Sequence, residues 1–287
     1  MAEQKVKIVA ECVCDLPRNW LKEHNIDIMY FTIETDRGVF LDTTEITSEN
    51  IISYMQSGGK KAYSAAPLPA VYKETFEKNL AEFDDVILVA ISSGVSLSCE
   101  NADKAVELLG EKGRRVHVFD SGHLSSGLGH LVIKAAELAE NGHTASEILS
   151  ALEALKDKVS TSFIAESVDY LYMNGKVSEK VKKICTAFNI HPILTMKNGE
   201  LTLKSVTRGD YRKACRRYIK KTLSRAKSID KKTAFITQAG CNTKKIEWIK
   251  SEVSKNLEFE NLVVTKASAT ISSNCGPNTF GVLFVEK

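Results

Sequence analysis

Apolar runs rich in β-branched residues alternate with segments of helical period through the first half of the chain. This alternation predicts strands separated by crossover helices, and therefore a largely parallel sheet with helices on both faces. The predicted strands are 6–13, 26–31, 85–91 and 115–119, and the predicted helices begin near Leu16, Ser48, Pro69, Ser98, Ser125 and Ala145.

The second half has a different order of elements. Asn198-Gly199 lies between two apolar runs, 192–196 and 201–206, and this arrangement is a strong hairpin signal. We predict an α/β protein of two domains. Residues 1–158 form a doubly wound, mostly parallel sheet, and residues 159–287 form a C-terminal α/β domain. Further predicted elements are strands at 160–165, 233–237, 262–266 and 280–286, and helices at 210–227 and 244–254.

A serine-rich turn follows the predicted strand 85–91. Its hydroxyl donors are Ser92, Ser93, Ser96 and Ser98, and Gly94 permits close approach of the backbone. Ligands of open α/β sheets bind at this end of the strands, where the next helix also presents unpaired N–H groups. The turn therefore predicts an anion site, although the same serines could simply cap the helix.

A second turn of similar chemistry follows the strand 115–119, beginning at Asp120-Ser121 and ending at Gly129. Because the two strands are expected to be neighbours, the two turns should lie side by side. The chain contains neither a GxxxxGK[ST] phosphate loop nor a GxGxxG fingerprint. A carboxylate or a small phosphate therefore fits these turns better than a nucleotide.

Composition narrows the class of protein further. The 287 residues are 43% apolar, and 39 basic against 36 acidic residues leave a net charge of +3, so we expect no nucleic-acid partner. The start lacks the apolar core of a signal peptide, and no apolar run is long enough to span a bilayer, so we expect a cytoplasmic protein. The seven cysteines include no CxxC pair, and we predict no disulfide framework and no metal site.

Taken in order, several segments resemble the DegV family along nearly the whole chain. The resemblance is carried by the segments 14–17, 64–67, 92–98, 120–129, 171–178, 191–194 and 274–278, together with Arg208 after the hairpin. Several positions depart from the family pattern, including Ala66, which stands where members have glutamine. Glu11-Cys12 replaces Asp-Ser, Ala65 replaces a hydroxyl residue, and Asn274 stands where members have histidine.

The resemblance implies a lipid carrier with no catalytic residue, metal or cofactor of its own. A long-chain, palmitate-like fatty acid would lie in a tunnel between the two domains, with its carboxylate on Ser64 and Ser96. Ser93 and Gly94 belong to the same turn, and Arg208 and Asn274 occupy the family's other head-group positions. In some members a separate fatty acid kinase subunit phosphorylates the bound acid. Because Ala65 lacks the family's hydroxyl and Asn274 lacks its imidazole, the sequence supports lipid binding more strongly than coupling to a kinase.

Three alternatives stay open. One is a binding module for some other amphiphile, which would share the anion site but not the acyl tunnel. A hydrolase or transferase could act on a small anionic substrate at the turn 92–98, but it would need a base, and His123 and His130 are the only candidates. The basic helix 210–227 is either a solvated face or a contact for an acidic partner or an anionic membrane surface.

Overall fold

The computed structural model describes residues 5–59, 62–175, 177–224 and 226–287. In chain order the strands are β1 (Val6–Glu11), β2 (Asp27–Met29), β3 (Thr32–Thr35), β4 (Gly38–Leu41), β5 (Tyr63–Ala65), β6 (Asp85–Ala90), β7 (Val116–Asp120), β8 (Val159–Ser160), β9 (Ser162–Ile164), β10 (Ile190–Lys197), β11 (Glu200–Arg208), β12 (Ile229–Ala239), β13 (Asn261–Lys266) and β14 (Thr279–Glu286). The α-helices are α1 (Arg18–Glu23), α2 (Ser48–Gln56), α3 (Pro69–Leu80), α4 (Ser98–Leu108), α5 (Ser125–Glu140), α6 (Ala145–Lys156), α7 (Asp169–Met173), α8 (Glu179–Ala187), α9 (Tyr211–Thr222), α10 (Thr243–Asn256) and α11 (Ala269–Cys275).

The first sheet is parallel, with the strand order β2-β1-β6-β7. Every residue of β1 and β6 is buried, as expected for strands that are covered on both faces. Tyr72 and Phe76 of α3 pack on one face, and Leu128 and Leu131 of α5 pack on the other. The predicted doubly wound α/β arrangement is confirmed.

The second sheet is mixed, with the order β11-β10-β9-β14-β12-β13, and β8 pairs with β14. β12 and β13 run parallel, whereas the other pairs are antiparallel. The predicted hairpin is confirmed: Asn198 and Gly199 both have positive φ, as a tight turn between β10 and β11 requires. Helix α6 ends at Lys156 and β8 of this sheet begins at Val159, so the change of sheet falls between them.

A third, small sheet has the order β4-β3-β5 and was not predicted. Its strands are three or four residues long, too short for a clear alternation of apolar and polar positions. Helix α11 was also missed, because its sequence ATISSNC has little helical periodicity. The strand predicted to reach Val13 instead ends at Glu11, and a 3₁₀ turn over Cys12–Cys14 follows with all three side chains buried.

Helix α5 joins the parallel sheet to the mixed sheet. Ser126 lies in the first turn of α5, and its hydroxyl contacts Thr237 of β12 and Thr265 of β13. A Cβ atom at Gly127 would lie 1.9 Å from Thr161 Oγ1, so only glycine permits this approach.

None of the helices in the described part of the chain is both long enough and apolar enough to cross a bilayer.

Because Gly127 touches Thr161 across this joint, Gly127→Ala should lower the free energy of unfolding by about 1–3 kcal/mol through overpacking. Chemical denaturation of the purified protein measures the change. The double variant Gly127→Ala/Thr161→Ala should lose less than the sum of the two single changes, because the second change removes the clashing hydroxyl. Purely additive effects would contradict the contact.

Candidate functional site

The two serine-rich turns lie side by side, as predicted. The first follows β6, and the second follows the neighbouring strand β7. The amide of Ser92 donates to the carbonyl of His123 at 2.9 Å, and the hydroxyl of Ser93 donates to Asp120 Oδ2 at 2.5 Å. These bonds fix the first turn against the second.

The hydroxyls of the first turn are not equally available to a ligand. Ser92 donates to the carbonyl of Gly199 at 2.5 Å, Ser93 donates to Asp120, and Ser98 donates to Glu11. The Ser96 oxygen accepts from the backbone amide of Ser98 at 3.2 Å, as the Ser92 oxygen accepts from that of Gly94 at 3.2 Å. Among the described residues, no acceptor is recorded for the hydroxyl proton of Ser96, so this serine is the best placed of the four to donate to an anion.

Gly94 has a neighbour that the sequence did not reveal. A Cβ atom there would lie 2.4 Å from the carbonyl oxygen of Gly199. The close approach that Gly94 permits is thus to the turn of the β10–β11 hairpin. Together with the bond from Ser92 to Gly199, this contact seats the tip of the hairpin on the serine-rich turn.

A buried carboxyl group supports the turn from below, and sequence reasoning did not single it out. Glu11 Oε1 accepts from the hydroxyls of Tyr72, at 2.6 Å, and Ser98, and Oε2 accepts from the amide of Ile91 at 2.7 Å. Burial raises the pKa of Glu11 despite these hydrogen bonds. The group holds the end of β6 and the start of α4 in fixed relation.

Ser64 belongs to the small sheet, and Asn274 belongs to α11, which packs against that sheet. Ser64 pairs with Ile33 in β3, so the two side chains share one face of the small sheet. Ile33 packs with residues of α11, the helix that carries Asn274. The side-chain amide of Asn274 donates to the carbonyl of Thr270 at 2.9 Å. The Ser64 side chain is exposed.

The segments around Ser64 and Ser96 meet. The side-chain amide of Asn101 in α4 donates to the carbonyl of Pro67 at 2.9 Å. Ala66 and Val95, which lie close in sequence to the two serines, belong to the same hydrophobic cluster. The predicted pairing of these two loops is consistent with these contacts.

Arg208 lies elsewhere. It is an exposed residue at the last position of β11. The hairpin turn whose Gly199 contacts Ser92 lies at the other end of this strand, just before Glu200. The strand has 9 residues, so its two ends are about 26 Å apart at a rise of ~3.3 Å per residue. The structure therefore does not bring Arg208 to the serine-rich turn, and its head-group role stays a prediction that depends on the resemblance.

Two further carboxyl groups hold the start of α11. Asp42, after β4, accepts from the amides of Ala269 and Thr270 at 2.7 and 2.8 Å. Asp15, after β1, accepts from the amide of Ser268 at 2.8 Å and from the hydroxyl of Ser125 at 2.5 Å. Burial raises the pKa of both, that of Asp15 to about 8. Sequence reasoning missed both roles, since their partners lie more than a hundred residues away.

An internal cavity, here called the inner cavity, lies between α5, α11 and the mixed sheet. Its volume is about 30 Å³. Its lining includes the apolar residues Leu124, Phe163, Ile271 and Leu283 and the hydroxyl residues Ser125, Thr161, Ser162, Thr237 and Thr279.

Each of these five hydroxyls has a protein partner, so the cavity wall offers no unsatisfied hydroxyl. The partners are Asp15 Oδ2 for Ser125 (2.5 Å), His123 Nδ1 for Thr161 (2.9 Å), the Tyr218 hydroxyl for Ser162 (3.2 Å), the Thr265 hydroxyl for Thr237 (2.8 Å) and the Cys275 carbonyl for Thr279 (2.8 Å). A cavity of this kind behaves as apolar and favours a hydrocarbon over water.

The two histidines considered as bases are engaged in the core. His123 lies between the hydroxyl of Thr161 and the carbonyl of Lys156, both at 2.9 Å, and His130 faces the carbonyl of Leu283 at 3.4 Å. Burial lowers the pKa of each, that of His130 to about 4. Neither is in hydrogen-bond contact with Ser96. Within the described ranges, no three His, Cys, Asp or Glu side chains are arranged to hold a metal ion.

Comparison with known proteins gives the same fold and a family. The architecture is that of an α/β protein with one parallel and one mixed sheet. A DegV domain-containing protein of Caldanaerobacter subterraneus subsp. tengcongensis is 30% identical and covers 99% of this chain and 100% of its own. The family model described as "Uncharacterised protein, DegV family" matches residues 5–287. The chain therefore belongs to the DegV family, and the resemblance seen in the sequence is confirmed.

Solved structures share the fold over the whole length. One is described as fatty acid binding of a DegV family protein from Thermus thermophilus, with a TM-score of 0.88 at 24% identity, covering 99% of this chain and 100% of that chain. Another is a DegV family protein from Eubacterium eligens loaded with heptadecanoic acid, with a TM-score of 0.84 at 21% identity, covering 98% and 100%.

Because Asp15 keeps its proton to about pH 8 when folded but has an ordinary pKa of 3.8, the unfolded chain releases that proton first. The free energy of unfolding should therefore fall as the pH rises from about 4 to about 8, by at most about 1.4 kcal/mol per pH unit for this group. Asp15→Asn should flatten this slope. Urea titrations across the range test it, and equal slopes in both proteins would contradict the assignment.

Proposed function

We propose that this protein binds one long-chain fatty acid, with the acyl chain between the parallel and mixed sheets and the carboxylate at Ser64 and Ser96. The observation that carries the proposal is the inner cavity, whose five lining hydroxyls are all satisfied by the protein. A hydrocarbon chain needs such an apolar wall. The relative from Thermus thermophilus is described as binding fatty acid, and the one from Eubacterium eligens is loaded with heptadecanoic acid, which supports the same ligand class.

The inner cavity must widen to admit the chain. Benzene fits a cavity of about 150 Å³, whereas the inner cavity has about 30 Å³. Burying an acyl chain of about sixteen carbons is worth on the order of 10 kcal/mol, at ~0.8 kcal/mol per methylene. That gain is large enough to offset rearrangement of apolar side chains such as Phe163 and Ile271. The interdomain tunnel stays part of the proposal.

Ser96 suits a carboxylate because its oxygen already accepts a bond from the amide of Ser98, which leaves its proton for the ligand. Ser64 lies in β5, three residues before Pro67, whose carbonyl accepts from the side-chain amide of Asn101. Two hydroxyl donors at one mouth would fix the direction of the chain, since an unpaired carboxylate is costly to bury.

We propose further that the protein catalyses nothing unaided. The hydrolase or transferase alternative needs a base beside Ser96, and His123 and His130 are both bonded within the core. A separate fatty acid kinase subunit acting on the bound acid remains part of the proposal, as does a cytoplasmic location.

The apolar side of the basic helix α9 is packed into the protein and is not exposed for insertion into a membrane. Its buried residues are Ala214, Cys215, Tyr218 and Ile219, so its apolar side faces the core and its charged side faces solvent. On that side, Arg216 pairs with Glu252 at 3.0 Å. Any membrane contact through α9 would be electrostatic and sensitive to salt.

Lipid extraction tests the proposal directly. The protein as purified, extracted with organic solvent, should release close to one equivalent of a long-chain fatty acid, detected by mass spectrometry. Incubation of delipidated protein with palmitate should restore the same stoichiometry. No bound fatty acid in either experiment would reject the proposal.

The head-group assignment has its own test. Ser64→Ala/Ser96→Ala should weaken fatty acid binding by about 2–4 kcal/mol, at ~1–2 kcal/mol per lost hydrogen bond, in calorimetric titrations. Ser150→Ala is a matched control, because Ser150 is exposed on α6 and bonds only within its own helix among the described residues. Equal affinity in the double variant and the control would show that the carboxylate binds elsewhere.

A further inference from the structure

Two concavities lie next to each other near the start of α11. The inner cavity is one. The other, here called the outer cleft, has a volume of about 370 Å³ and an apolar floor formed by Leu16, Leu21, Ile28 and Tyr30. Ala267 lines both, so a single residue's thickness separates them.

Asp15 forms the first part of the partition between the two spaces. It lines the outer cleft, as does Ser268, whereas Ser125 lines the inner cavity. The Asp15 carboxyl group spans from one to the other, accepting from the Ser125 hydroxyl at 2.5 Å and from the Ser268 amide at 2.8 Å. The Asp15 side chain is almost completely buried.

Thr237 and Thr265 form the second part. Thr237 lines the inner cavity, Thr265 lines the outer cleft, and their hydroxyls are 2.8 Å apart. Ser126 of α5 contacts both hydroxyls. Each part of the partition therefore joins a residue of one lining to a residue of the other through buried hydrogen bonds.

We propose that this partition, and Asp15 above all, determines the longest acyl chain that the protein accepts. The inference rests on the proposed function. A chain that fills the inner cavity ends at the partition. To advance further it would have to separate buried hydrogen-bonded groups, and this costs more than burying one more methylene gains. The outer cleft, although mostly apolar, stays closed to the chain.

The backbone at Asp15 and Ser125 allows a clean test from both sides. Both residues have left-handed φ, 54° and 56°, so glycine is tolerated at either position without strain. Asp15→Gly removes the partition from the outer side, and Ser125→Gly removes its partner from the inner side. Asp15→Asn keeps the size of the side chain and suits the same backbone.

Asp42→Ala is the matched control. Asp42 also accepts backbone amides at the start of α11 and is also buried, yet it is not among the residues that line either space. Its loss should loosen α11 as much as the loss of Asp15 does, without opening a path.

Delipidated protein is incubated with an equimolar series of saturated straight-chain fatty acids, and the retained acids are quantified by mass spectrometry. For the unaltered protein, retention should rise with chain length and then fall sharply. In Asp15→Gly and Ser125→Gly the limit should move to longer acids, with affinity beyond the old limit rising about fourfold per additional methylene buried. Asp15→Asn and Asp42→Ala should keep the original limit.

An unaltered limit in both glycine variants, a shift of equal size in Asp42→Ala, or retention that rises without any limit in the unaltered protein would each overturn the inference. The last of these needs no variant, so the test does not depend on the variants folding. Failure of the proposed function looks different, because the unaltered protein would then retain no fatty acid of any length.

Discussion

The arrangement of the whole molecule depends on how helix α11 is held. Asp42 and Asp15 come from loops that follow β4 and β1, and both accept backbone N–H groups at the start of this short helix. A seven-residue helix has too few internal hydrogen bonds to be stable alone, and its N-terminal amides need acceptors when buried. The two carboxyl groups supply them, and so connect the small sheet, the parallel sheet and one wall of the inner cavity.

The same principle explains why the cavity is suited to a hydrocarbon although serine and threonine line much of it. A hydroxyl in a cavity wall attracts water unless the protein satisfies it. Here His123, Asp15, Tyr218 and Thr265 lie behind the wall and take up its hydrogen-bonding capacity. The buried polar groups thus hold the two sheets together and, at the same time, leave an apolar surface between them.

The contrast among the serines of the first turn shows how far sequence reasoning reaches. Their position after a buried strand was correctly predicted, because alternating apolar and helical segments reveal the parallel sheet and the end at which its loops gather. Their individual roles were not. Ser92 donates to the hairpin, Ser93 donates to Asp120 and Ser98 donates to Glu11, whereas no acceptor is recorded among the described residues for the hydroxyl proton of Ser96. Acceptors from other segments of the chain therefore decide which of the four hydroxyls stays available to a ligand.

The sequence by itself determined the α/β class, the hairpin at Asn198-Gly199 and the family, because each of these depends on local periodicity, turn chemistry or order along the chain. The tertiary structure alone decided that Arg208 lies far from the serine-rich turn, that Gly94 faces Gly199, and that Asp15 separates two spaces. The physical reason is that a side chain's chemistry is set by what surrounds it. For Gly94 and Asp15 the surroundings come from segments about a hundred or more residues away, which no local pattern encodes.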